Sequence, residues 1–141
     1  MIIAKKLIFI VCICITIYPK SFCNAMNFGE EMNDKTSITI KKQDNGKEIT
    51  VKPGDIICVE LEEMGAAGYS WFVDNLNTEH LEMLSKKTKL ISEGKLGAPV
   101  LGVWLFRAKK EGSAEINMDH YRGWEGKEKA TEHFSIKLLI K

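Results

Sequence analysis

Two stretches of this chain, Ile57-Cys58-Val59-Glu60-Leu61 and Phe134-Ser135-Ile136-Lys137-Leu138, alternate apolar and polar residues without a break. Side chains that switch face at every residue belong to a β-strand, because a helix repeats its face every three to four residues. Ile57, Val59 and Leu61 therefore share one face, as do Phe134, Ile136 and Leu138, and each apolar face must be buried against something. Shorter segments of the same character fall at residues 37–42, 48–51, 69–73, 103–108 and 114–119, with a weaker one at 87–91. Together with 56–61 and 134–140 they make about eight strands. Asp44-Asn45-Gly46 predicts a tight hairpin, and Pro53-Gly54 and Lys110-Glu111-Gly112 predict two further reversals. Residues 79–87, with Leu81, Leu84 and a lysine-rich end, read as a connection or irregular strand. An all-β antiparallel sandwich removes both apolar faces from water and gathers the loops at its two ends.

The first 25 residues have a different character. Lys5-Lys6 precedes an apolar run over residues 7–18, and Cys23-Asn24-Ala25 offers small residues for cleavage after Ala25. That is the layout of a secretory signal peptide, and an apolar run of about 12 residues is short of the roughly 20 that a membrane span needs. Removing 25 of the 141 residues leaves 116, enough for one domain. Residues 26–35 are polar and aperiodic, an expected disordered lead, with the domain at 36–141. Processing also takes Cys12, Cys14 and Cys23, so the mature chain would keep only Cys58 and form no internal disulfide. It takes three lysines as well, leaving 17 basic against 19 acidic residues. That balance excludes the basic surface of a nucleic-acid binder. No Asn-x-Ser/Thr sequon occurs.

Three loop-like segments stand out between the strands. The first, Gly65-Ala66-Ala67-Gly68-Tyr69-Ser70-Trp71, leads into a strand; the second, Gly97-Ala98-Pro99-Val100, follows Gly94; the third, Tyr121-Arg122-Gly123-Trp124-Glu125, opens a very polar stretch. Trp71, Trp104 and Phe106 lie on strands and are expected in the core. Trp124 has little core to join, and Trp, Tyr and Arg dominate the energetic centres of protein interfaces.

The order and spacing of these segments resemble the chagasin-type inhibitors of papain-like cysteine peptidases. Gly68-Tyr69-x-Trp71 matches the end of that family's Asn-Pro-Thr-Thr-Gly-Tyr loop, with Met64-Gly65-Ala66-Ala67 in place of its hydroxyl-bearing tip. Gly97 keeps one glycine of Gly-x-Gly-Gly, and Pro99 and Val100 stand where later glycines would. Arg122 and Trp124 match Arg-Pro-Trp, with Gly123 replacing the proline. The resemblance implies an immunoglobulin-like antiparallel sandwich of about eight strands, acting as a monomeric, reversible, tight-binding inhibitor. Its peptidase-binding residues would be Gly65, Ala66, Ala67, Gly68, Tyr69, Gly97, Ala98, Pro99, Val100, Arg122, Gly123 and Trp124. The partner would be a papain-like cysteine peptidase. The signal would place the protein in the secretory pathway, whether secreted, periplasmic or in a lysosome-like vesicle, with no membrane attachment after cleavage.

Catalysis would need Cys58 with His80, His120 or His133, yet Cys58 sits mid-strand with no cysteine-enzyme signature around it. The histidines are too far apart in sequence for the usual zinc spacing, so neither a metal nor a cofactor is expected. A secreted immunoglobulin-like adhesion or receptor-binding module would share the sandwich, the signal and the exposed tryptophan, and differs only in its target.

Overall fold

The two strictly alternating stretches form inner strands of two separate sheets. The computed structural model describes residues 37–91 and 97–141; the expected signal at 1–25, the lead at 26–35, Thr36 and Gly94 lie outside the described residues. Eight strands occur in order: β1 (Ser37–Lys41), β2 (Glu48–Val51), β3 (Ile56–Glu63), β4 (Tyr69–Asp74), β5 (Leu81–Leu90), β6 (Val100–Ala108), β7 (Gly112–Arg122) and β8 (Glu132–Ile140). One sheet runs β1-β3-β6-β5 and the other β2-β8-β7-β4. The all-β sandwich expected from the alternation is what the chain builds.

Its core lies between the sheets. Ile57, Val59 and Leu61 of β3 and Trp104 and Phe106 of β6 meet Trp71 of β4, Ile116 and Met118 of β7, and Phe134, Ile136 and Leu138 of β8. The expected inner faces of β3 and β8 are therefore buried. Cys58 belongs elsewhere: with Ile56, Val103 and Leu105 it forms a second, smaller buried cluster on the opposite face of β3 and β6. In the full-length chain Cys58 is disulfide-bonded.

Three expectations are corrected. The sandwich is not wholly antiparallel, since β1 pairs parallel with β3 and β2 parallel with β8. Asp44-Asn45-Gly46 is no hairpin: β1 and β2 belong to different sheets, and the turn carries the chain across the sandwich. Gly46 does take a positive φ of 78° there, and its N–H donates to the Ser135 carbonyl on β8. Residues 81–90 form one continuous edge strand, where the sequence suggested a connection and then a short strand. A bulge between Met83 and Ser85 interrupts its alternation. Exposed Lys86, Lys87 and Lys89 also discourage pairing with other chains.

Antiparallel pairing fixes where the loops go. Glu63 lies opposite Val100, Leu90 opposite Val100, and Tyr69 opposite Arg122. The β3–β4, β5–β6 and β7–β8 connections thus leave from the same end of the sandwich.

Candidate functional site

The β3–β4 connection is a single 3-10 turn, Gly65–Ala67. The N–H groups of Ala67 and Gly68 donate to the carbonyls of Met64 and Gly65 at 2.9 Å each. Gly68 closes the turn in the left-handed region at φ 79°, where a side chain is strained. Below it, Trp71 ties the turn to the core. Its indole N–H donates to the Glu62 carbonyl and its backbone N–H to Glu63 Oε1, both at 2.9 Å. Glu63 is almost fully buried, and its charge is met by Lys86 at 3.8 Å; the same ammonium donates to the Trp71 carbonyl. A buried carboxylate is tolerable only with such partners, and these three residues cross-link β3, β4 and β5 directly beneath the turn.

In the β7–β8 connection, Glu125 N–H donates to the Arg122 carbonyl at 2.8 Å, a tight turn with Gly123 and Trp124 at its tip. Lys127 pins the rest of this loop by ion pairs to Asp74 on β4 and Asp119 on β7. Hydrogen bonding to Asp74 raises the Lys127 pKa, which keeps the ammonium charged. Beside the turn, Phe72 and Tyr121 stack at 4.4 Å.

The first and third loops are clasped together by Arg122. Its Nε donates to the Ala67 carbonyl at 3.1 Å and its Nη1 meets Glu125 at 3.2 Å. The guanidinium lies over the Tyr69 ring at 4.6 Å and the Trp124 ring at 5.9 Å, within cation–π range. The outer ring of Trp124 rests on Gly68 so closely that a Cβ there would collide with it. Trp124 nonetheless remains 72% exposed. It is an aromatic held in place on one edge and open to a partner on the other.

The second segment is described from Gly97 onward. Gly97 is exposed with φ 80°, Ala98, Pro99 and Val100 are half-buried, and Val100 already belongs to β6. Space for a Cβ on Gly65 ends 3.6 Å from Val100, so this segment borders the first loop. Of the twelve residues singled out from the sequence, Gly65, Ala66, Ala67, Gly97, Gly123 and Trp124 are exposed at this end. Gly68, Tyr69, Ala98, Pro99, Val100 and Arg122 are half-buried beneath or beside them.

Sequence reasoning missed the supports: Glu63, Lys86, Lys127 and His120. The first three act across strands far apart in sequence, and no local pattern marks them. His120 is buried, its ring stacked 4.8 Å from Trp71 and 5.4 Å from Tyr69. Among the described residues no group of three or more His, Cys, Asp or Glu side chains is arranged to hold a metal ion. The arrangement offers a rigid, protruding edge with an aromatic tip.

Residues 50–138 match the family described as chagasin family peptidase inhibitor I42. No curated protein sequence matches the chain. Among solved structures, the fold is similar to the cysteine protease inhibitor EhICP2 from Entamoeba histolytica, with a TM-score of 0.69 at 16% identity over 76% of this chain and 97% of that one. Amebosin is similar with a TM-score of 0.63 at 18% identity, covering 77% of this chain and 100% of the other. PbICP-C, seen in complex with falcipain-2, gives 0.54 at 18% identity over 80% and 95%. At these identities the likeness is one of fold.

Proposed function

This chain belongs to the chagasin family of peptidase inhibitors, and from that premise we propose that it is a reversible, tight-binding inhibitor of papain-like cysteine peptidases. The exposed Trp124, braced on Gly68 and clasped by Arg122 to the tip of the first loop, carries the reading. A wedge built of backbone turns and one anchored aromatic fills a narrow cleft without losing much conformational freedom on binding. The Gly65–Ala67 turn would lie over the catalytic Cys/His pair of the enzyme, Gly97 would flank one side, and Trp124 would pack on the other. Exclusion of substrate follows from occupancy, so no covalent step is needed. The similar structure of PbICP-C, bound to falcipain-2, supports a cysteine peptidase as the partner class.

Titrating a papain-like cysteine peptidase with the protein tests this. Stoichiometric, reversible loss of activity is expected. Unchanged activity at micromolar protein would overturn it in favour of an adhesion module. On the same reading, residues 1–25 direct the chain into the secretory pathway and are removed after Ala25. The N-terminal sequence of the exported protein should then begin at Met26, leaving Cys58 as its only cysteine.

A further inference from the structure

Beneath the clasp runs a continuous column of rings. Phe134 meets Trp71 edge-on at 6.4 Å, Trp71 stacks on His120 at 4.8 Å, His120 lies 5.4 Å from Tyr69, and Tyr69 carries the Arg122 guanidinium that also faces Trp124. His120 sits in the middle of this column, and it is only 6% exposed. We propose that His120 is a positioning residue that makes the binding edge pH-responsive: the neutral imidazole holds Tyr69, and through it Arg122 and Trp124, in the binding arrangement, and the imidazolium releases them. The inference rests on the inhibitory reading of this edge.

The hydrogen bonds define the neutral form. Thr131 Oγ1 donates to the His120 carbonyl at 3.1 Å, so toward His120 Nδ1, 3.4 Å away, that oxygen is an acceptor and Nδ1 carries the proton. Nε2 is then the bare nitrogen, buried with no hydrogen-bond partner among the described residues. Protonation would place an N–H there with no acceptor among the described residues, and a second cation beside the Tyr69 ring that already carries Arg122. The charged neighbours come from each packed element. Glu132 at the start of β8 lies 3.8 Å from Nδ1 and is itself ion-paired to Lys42, Glu63 on β3 is tied to Lys86, and Tyr69 on β4 separates the ring from Arg122. The two carboxylates favour the imidazolium and Lys42 opposes it, but desolvation is the largest influence and the His120 pKa falls below the ordinary histidine value.

The sign follows. The unfolded chain takes up this proton at a higher pH than the folded one, so the stability that neutral His120 lends is complete above the ordinary histidine value. It is lost as pH falls through the lowered one. Because binding selects the neutral ring, inhibition is constant above the lowered His120 value and weakens as pH falls below it, by up to about tenfold per pH unit for one linked proton.

The test follows the inhibition constant against a papain-like cysteine peptidase from pH 7.5 to 4.5 for the wild type, His120→Phe and Glu132→Gln. The His120 and Trp124 ring resonances of the free proteins are followed by NMR over the same range. The wild-type constant should rise in acid relative to that of His120→Phe, whose ring stacks without titrating. The Trp124 signal should move with the midpoint of His120. Glu132→Gln, which keeps every stacked ring, should shift that midpoint to lower pH. A wild-type to His120→Phe ratio that stays flat, or a Trp124 signal that ignores the His120 titration, overturns the proposal. If no peptidase is inhibited at any pH while Trp124 still follows His120, the inhibitory reading fails and the coupling stands.

Discussion

Trp124 is a large apolar side chain that the fold leaves in water, and it does so with the ring already positioned. Hot-spot residues combine large apolar area with little entropy left to lose, and a tryptophan seated on Gly68 meets both conditions. Trp124→Ala should weaken inhibition by about 2 kcal/mol or more while leaving the melting temperature nearly unchanged, because so little of the ring is in the core. Inhibition constants and thermal melts of the one variant check both halves. Arg122 is a different case. The sequence pairs it with Trp124 as a contact, but two of its donors are engaged within the chain, by the Ala67 carbonyl and Glu125. Arg122→Lys should then fail much as Arg122→Ala does, since an ammonium keeps the charge and loses the flat fork that bridges two loops and lies on two rings. Full inhibition by the lysine variant would return Arg122 to a plain charge contact. The exposure of Trp124 was legible from its polar surroundings; the clasp was not, because it depends on which residues lie opposite one another across β4 and β7.

At the scale of elements, strands with one buried face announced themselves and strands without one did not. β8 alternates because one face of it is core, whereas β3 alternates only over residues 57–61 and is buried on both faces, Ile57, Val59 and Leu61 in the main core and Ile56 and Cys58 in the smaller cluster. β5 is an edge strand with a bulge and exposed lysines, so nothing in its burial imposes a period of two. The turn residues were legible as turns but not as to destination. Gly46 and Gly54 take the positive φ that their sequences suggest, yet both turns carry the chain from one sheet to the other. The first loop is the element that most departs from its family's pattern, since Ala66 and Ala67 replace the Thr-Thr tip. Its short 3-10 turn presents backbone and methyl groups only, so bulk should matter more than polarity. Ala67→Trp should abolish inhibition by collision within the cleft, whereas Ala67→Thr should be neutral or gain up to about 1 kcal/mol from one added hydrogen bond. Inhibition constants for the two variants decide it; a tryptophan variant as potent as the parent would mean that this loop stays out of the active site.

Across the whole molecule, polarity of the strands separates the binding end from the chain ends. β1 runs parallel to β3 with Ser37 opposite Ile56, so the described domain begins at the end of β3 far from Glu63 and the first loop. β8 runs from Glu132, beside His120, down to Ile140, which lies opposite Gly112 at the same far end. Both ends of the domain thus lie a full strand away from the three loops; β8 alone has nine residues, about 30 Å at the usual rise per residue. A folded domain fused after Lys141 should leave the inhibition constant within about twofold of the parent, because at that distance neither bulk nor screened charge reaches the cleft. A fused domain inserted in the β7–β8 connection, between Lys129 and Ala130, should abolish inhibition, because that connection leaves from the end that carries Trp124. Melting curves of the two fusions establish that each is folded, and their inhibition constants then test the orientation. Equal potency for both would place the binding surface on the flank of the sandwich and remove the physical basis for the wedge.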